Sequence, residues 1–301
     1  MLICPECKSP LVSGDGKLVC QNDRHVYKEK EGIIQLIKDA TSEERFFPEN
    51  AFDLLYQSEE KNFWFRVRNK IIGNTIAQYL SSQSRILEVG CGTGFVSRYL
   101  KQRGFHVECA DLFFEALQFC KTRNSGYAYY QHNLADQIFL EEFEGICAFD
   151  VLEHIEDDTF ILKNMYEALK PRGFLFITVP ADMRLWSAMD VYAEHKRRYS
   201  AQDLRKKLED NRFKVIKMSY FMAFLFPVLV LSRKFSLRRE LLNAEGSAKI
   251  IKQEVMNELQ PNTILNSLFY IIFSIEVPLL RSFNFAFGSS PICVARKERS
   301  V

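Results

Sequence analysis

Between Ser84 and Pro180, short apolar runs alternate with amphipathic ones, and most apolar runs stop at a glycine or an aspartate. Residues 85–89, 106–110, 127–131, 145–149 and 174–179 read as strands, because each is a brief apolar run bounded by turn residues. Residues 96–102, 116–122 and 160–169 carry helical spacing. Parallel strands need a crossover of a dozen or more residues, usually a helix, and are covered on both faces. The alternation therefore predicts an α/β, doubly wound, mostly parallel sheet. Further strands at 213–219 and 291–296 bring the expected total to seven.

The first strand hands over to its helix through Glu88-Val89-Gly90-Cys91-Gly92-Thr93-Gly94. Glycines there let the backbone turn tightly and approach a ligand. A dinucleotide fingerprint would place its third glycine at position 95, which is Phe95, whereas here the glycines fall at 90, 92 and 94. Asp111 closes the second strand, where a carboxylate can accept hydrogen bonds from both hydroxyls of a ribose. Asn133-Leu134 follows the third strand, Asp150-Val151-Leu152-Glu153-His154 the fourth, and Leu169-Lys170-Pro171-Arg172-Gly173 precedes the fifth.

This ordered set resembles the class I S-adenosylmethionine-dependent methyltransferases, with Gly-x-Gly-x-Gly after an acid as motif I. Asn133 stands where relatives more often have Asp, and Arg172 replaces the first Gly of an "LKPGG" turn. Glu60 through Arg68, containing Phe63-Trp64-Phe65, and Glu194 through Ser200 resemble the "FWF…R" and "H-x-RRYS" segments of one broad branch of that family. The resemblance implies that S-adenosylmethionine is held by Glu88, Gly90, Cys91, Gly92, Gly94, Asp111, Leu112, Asn133, Leu134 and Asp150. Methyl transfer to a hydroxyl benefits from a general base, and His154 and His195 are the candidates. Arg197, Arg198 and Tyr199 are placed to clamp an anionic acceptor, since guanidinium pairs well with carboxylate or phosphate. Asp157 and Asp158 suit the start of a helix better than a metal site.

At the N-terminus, Cys4-Pro5-Glu6-Cys7 has knuckle spacing, with Cys20 and His25 following. Three cysteines and a histidine satisfy tetrahedral Zn²⁺, and a bound metal lets a short segment fold with little core. The module resembles the zinc ribbon that begins certain ribosomal-RNA guanine methyltransferases. The remaining cysteines are scattered through apolar segments, which fits a reducing compartment, so a cytoplasmic chain is expected.

Residues 220–231 form an unbroken apolar run, followed by Arg233-Lys234 and Arg238-Arg239. That run is shorter than the ~20 residues a bilayer requires. A second apolar stretch, 264–287, is interrupted by Asn266, Glu276 and Arg281. Both suit a helical cap over the site, or a surface peripheral to a membrane with basic residues at the headgroups. The domain reading is a zinc-ribbon-like module at 1–38, a helical segment at 39–83, the cofactor-binding core at 84–219, an apolar cap at 220–288 and the last strand of the core with the tail at 289–301. The leading expectation for function is methyl transfer to an O, N or C nucleophile of a small-molecule or lipid-linked acceptor. An RNA methyltransferase is the alternative, but residues 1–31 balance Lys8, Lys17, Arg24, Lys28 and Lys30 against Glu6, Asp15, Asp23, Glu29 and Glu31. The formal net charge of +2 likewise gives no electrostatic case for nucleic acid. A cofactor-binding scaffold without turnover is the third reading.

Overall fold

The computed structural model describes residues 1–14, 17–37, 51–231 and 247–298. The chain opens with β1 (Leu11–Gly14), β2 (Lys17–Cys20), β3 (Val26–Lys30) and β4 (Ile33–Gln35), an antiparallel meander. Helices α1 (Ala51–Ser58) and α2 (Phe63–Ile76) follow. The core then runs β5 (Arg85–Val89), α3 (Phe95–Gln102), β6 (His106–Asp111), α4 (Phe114–Thr122), β7 (Tyr129–Gln131), β8 (Phe143–Phe149), α5 (Asp158–Ala168) and β9 (Leu169–Thr178). It continues through α6 (Ala188–Tyr192), α7 (Ala201–Asp210) and β10 (Phe213–Phe221), and closes with β11 (Ser290–Lys297). Between the last two strands lie α8 (Ser247–Leu259), α9 (Thr263–Ser274) and α10 (Glu276–Ser282).

The core strands stand in the order β7-β6-β5-β8-β9-β11-β10. β7 through β9 are mutually parallel, while β11 inserts antiparallel between β9 and β10. The expected seven-stranded doubly wound sheet is therefore present, with a helical insertion before its last strand. Its two faces are sorted by strand alternation. Leu87, Ile146 and Leu175 point into one apolar layer, and Ile86, Cys147 and Phe176 into the other.

The N-terminal meander is stitched into this sheet, because β4 pairs parallel with the edge strand β7, Ile34 opposite Tyr130. The amide of Ile3 also donates to the carbonyl of Ile138 at 2.8 Å, and that of Leu36 to Gln131 at 2.8 Å. One turn expected before a strand sits within it instead. Leu169 through Gly173 lies inside β9, where the register jumps from Phe143 opposite Leu169 to Gly145 opposite Phe174. Residues 170–173 thus bulge against the single residue Glu144, whose carboxylate pairs with Lys170 at 2.5 Å. Arg172, at φ 68°, takes the left-handed conformation that the expected glycine would have favoured. The basic pairs Arg233-Lys234 and Arg238-Arg239 lie outside the described residues.

Candidate functional site

The carboxyl ends of the parallel strands open onto a cavity of about 1050 Å³, in the place where ligands bind in open α/β sheets. At its β5 end the backbone turns through Gly90, Gly92 and Gly94, all with positive φ. Each glycine has a different reason. A Cβ on Gly90 would meet Val151 at 2.5 Å, and one on Gly94 would meet Cys120 Sγ and Ser125 Oγ at 2.5 Å. A Cβ on Gly92 would meet no atom within 4 Å. Gly92 therefore faces open space, whereas Gly94 starts α3 and does not line the cavity. Gly94 is packed against Cys120 and Ser125.

Asp111 sits at the tip of β6. One carboxylate oxygen accepts from the amide of Gly92 at 2.8 Å and the other from Phe113 at 3.0 Å. Burial outweighs these donors and pushes its carboxyl up to about 6. Leu112, Asn133 and Leu134 line the same end beside Cys91. Glu88 lies deeper, with its carboxylate accepting from the hydroxyl of Ser97, and burial pushes it up to about 8.

At the β8 end, Asp150 accepts from Arg68 at 2.6 Å and from Thr178 at 3.0 Å. Next to it, the short helical turn Leu152–His154 presents Glu153 and His154. The rings of His154 and His195 meet edge to face at 4.7 Å. His195 Nδ1 lies 2.9 Å from Asp190 Oδ1, and Nε2 lies 3.9 Å from Glu153. Asp190 is buried; burial alone would raise its carboxyl, but hydrogen bonds from His195 and Arg198 hold it well below the usual range. His154 falls to about 4, chiefly from burial and then from the neighbouring His195.

The expected Arg197–Arg198–Tyr199 clamp does not form. Arg198 grips Asp190 with Nε at 2.7 Å and Nη2 at 2.8 Å. Tyr199 is buried and donates to Asp158 at 2.7 Å, while Arg197 reaches Asp158 and the carbonyl of Glu156. Loop residues that look like free anion receptors in sequence are instead the ties that hold the loop under the sheet edge. Asp157 caps α5 through the amide of Phe160 at 3.2 Å, in line with its expected role.

The insertion roofs the cavity with Leu225, Leu229, Leu259 and Phe269. Its anchor is the start of α2. Asn62 donates to the carbonyls of Glu258 and Leu259 at 2.9 and 3.0 Å, and the amide of Phe63 donates to Asn266 at 2.7 Å. Phe63 packs on Phe269 and Phe273, with ring centres 5.2 and 5.5 Å away. Glu276 is buried too and accepts from the amide of Phe224 at 3.0 Å. Two of the residues that interrupt the apolar stretch, Asn266 and Glu276, are therefore turned inward as anchors. The segment Thr263–Ser282 spans 20 residues and holds an 18-residue window of mean hydropathy 1.7, long and apolar enough by length and composition to cross a membrane. Its outer stripe of Ile264, Leu268, Ile271 and Ile275 is exposed.

Sequence reasoning missed Glu59, whose buried carboxylate binds Arg123 and Thr93 at 2.5 Å behind the glycine turn. It also missed the roles of Arg68 and Asp190; the only signal was that both fell near segments already singled out. In the N-terminal module, Cys7 and Cys20 Sγ lie 3.2 Å apart, Cys4 Sγ and His25 Nδ1 3.6 Å apart, and the four donor atoms all lie within 4.8 Å of one another. That spacing is compatible with tetrahedral coordination by S and N donors.

With this geometry in hand, comparison with known proteins decides the family. Residues 56–218, more than half the chain, match the family described as "Methyltransferase domain". The chain belongs to that family. Residues 1–32 match a second family, "Trm112p-like protein". This corrects the resemblance to the ribbon of ribosomal-RNA guanine methyltransferases. Curated relatives include a ubiquinone biosynthesis O-methyltransferase of Xylella fastidiosa strain M23, 32% identical over 103 residues, which are 32% of this chain and 42% of that one. The same-named protein of Idiomarina loihiensis is 30% identical over 118 residues, 37% of this chain and 49% of that one. The chain thus spans less than half the length of these relatives. Among solved structures, the Haemonchus contortus phosphoethanolamine N-methyltransferase 2 bound to S-adenosyl-L-methionine shares the fold at TM-score 0.50 and 17% identity, covering 77% of this chain and 52% of that one. A chain of the complex between the Haloferax volcanii Trm112 methyltransferase activator and a methyltransferase does so at TM-score 0.53 and 13% identity, covering 84% and 100%. At these identities the likeness concerns the fold.

Proposed function

We propose that the chain transfers the methyl group of S-adenosylmethionine to a hydroxyl oxygen of a small apolar or lipid-linked acceptor. The observation that carries this reading is a single cavity, polar at the glycine turn and at the histidines, and apolar along its roof. Gly92 is open to the cavity, and Asp111 is held by two amides, an arrangement that fits a ribose and its attached chain. The cofactor supplies an electrophilic methyl on sulfur, so the protein's task is to hold an acceptor oxygen in line with it, away from water. The cap excludes water, Asp111 and Gly92 fix one end, and Glu153, His154 and His195 face the acceptor end, where a hydroxyl must lose its proton. The names of the curated relatives support oxygen as the methylated atom.

Residues 1–37 are proposed to bind structural zinc through Cys4, Cys7, Cys20 and His25 and to stabilise the core through the β4–β7 pairing. The exposed stripe along α9 and at Ile275 is proposed to rest on a lipid surface, which would bring a lipid-linked acceptor to the cap. A cytoplasmic location is part of the same proposal.

Incubating the chain with S-adenosylmethionine labelled in its methyl group, and with cell lipid extract or total RNA, tests the reading. Label extractable into organic solvent is expected. Label in RNA, with none in lipid or small molecules, would support the RNA alternative, and no transfer to any fraction by a chain that binds the cofactor would support the scaffold.

A further inference from the structure

Three cysteines that stand far apart in the sequence meet behind the glycine turn. Cys91 comes from the turn itself, Cys109 from β6 and Cys120 from α4, and their sulfurs all lie within 4.8 Å of one another. Cys109 and Cys120 are fully buried, and Cys91 is 6% exposed. Cys91 Sγ and Cys120 Sγ are 3.9 Å apart. That is well beyond the about 2.05 Å of a disulfide. It is close to the about 4 Å that separates three sulfurs held in a plane at about 2.3 Å from one ion.

Apolar packing alone does not account for this corner of the core. A buried thiol ordinarily behaves as a small apolar group, but polar atoms gather round these three. Cys109 donates to the hydroxyl of Ser97 at 3.2 Å. Ser125 Oγ is buried and has no hydrogen-bond partner among the described residues. It lies, like Cys120 Sγ, 2.5 Å from the point that a Cβ on Gly94 would take. The ammonium of Lys101 donates to the carbonyl of Gly126 at 2.9 Å. A Cβ on Gly126 would in turn meet Cys109 Sγ at 2.7 Å. Burial opposes a thiolate at Cys109, and the charge of Lys101 favours one.

We infer that Cys91, Cys109 and Cys120 form a binding site for a soft cation of the class of Cu⁺, set behind the glycine turn. Thiolates select such ions over harder ones. Cu⁺ is satisfied by three sulfurs in a plane, whereas Zn²⁺ in a structural site takes a fourth ligand. On coordination the thiols release their protons to solvent, and no electron is transferred. Of the three, Cys91 alone lines the cavity, so the ion enters past the turn. On the methyl-transfer reading above, the cofactor lies over Cys91 and closes that route.

Full-length chain, purified with its zinc and kept reduced without oxygen, is set to compete for Cu⁺ with the coloured bicinchoninate complex. Wild type is expected to take one equivalent more than Cys109→Ser or Cys120→Ser, because whatever the N-terminal cysteines take is common to all three. Cys7→Ser should keep that equivalent. A melting curve of each variant reports that it is folded. Equal uptake by wild type and by folded Cys109→Ser and Cys120→Ser overturns the site. S-adenosylmethionine at about 100 times its dissociation constant leaves about 1% of the chain open and should slow uptake of this equivalent accordingly. Uptake that is not slowed, in a chain that binds the cofactor, overturns the route past Cys91. A chain that takes the equivalent but does not bind the cofactor sinks the methyltransferase reading and leaves the copper site standing.

Discussion

At the scale of single residues, the cavity is organised by acids with different partners. Glu59 has an arginine and a hydroxyl, Asp150 an arginine and a threonine, Asp111 two backbone amides, and Glu153 none. Asp111 has a measurable consequence. Its carboxyl stands near 6 in the free chain because burial outweighs the amides, and ribose hydroxyls would donate to the ionised form. Affinity for S-adenosylmethionine should then be full above about pH 7 and fall as the pH drops through 6, approaching tenfold per unit. Asp111→Asn should bind weakly with a flat profile, and a flat wild-type profile from about pH 7 to 5 would contradict the assignment. The sequence made Asp111 legible because an acid ending the second strand of an α/β sheet has one geometric place to be. Asp190 was not legible, because its importance comes from His195 and Arg198 converging on it, and pairwise convergence leaves no local pattern.

At the scale of elements, the helical insertion has two faces with different tasks. Phe269 and Phe273 grip Phe63 on α2, whereas Ile264, Leu268, Ile271 and Ile275 face outward, Ile264 at 78% exposure and Ile271 at 65%. Replacing Ile264, Leu268 and Ile271 together by Ser should change stability by no more than about 0.5 kcal/mol per site, as exposed positions do. If the stripe meets lipid, the same variant should sediment with phospholipid vesicles at least about tenfold more weakly, given about 1.5–3 kcal/mol per fully buried aliphatic side chain. Equal sedimentation of variant and wild type would remove the membrane from the account. Apolar content marked this region in the sequence, but the split into inner and outer faces became visible only once Asn266 and Glu276 were seen pointing inward. The turn at Lys170–Gly173 was legible, but not that β9 starts ahead of it, since a bulge and a turn use the same residue types.

At the scale of the whole molecule, an N-terminal meander continues a methyltransferase sheet past its β7 edge. The mostly parallel sheet was legible because most of the short apolar runs of the core are followed by a helix. The join through β4 was not, since three residues, Ile33–Gln35, form that strand and only their partner reveals it. If zinc holds the meander and the meander holds β7, Cys7→Ser or chelation should lower the melting temperature of the whole chain. A loss of about 2–3 kcal/mol would lower it by roughly 3–5 °C at this size. An unchanged melting curve, on protein shown to have lost its zinc, would make the module an appendage. The central claim is that the glycine turn and Asp111 hold S-adenosylmethionine beneath the cap, and calorimetry tests it most directly. Wild type should bind the cofactor at micromolar concentration, while Gly92→Arg, which fills the open space at the turn, and Asp111→Ala should not. A folded wild type that fails to bind, or variants that bind as well as it does, would contradict the claim.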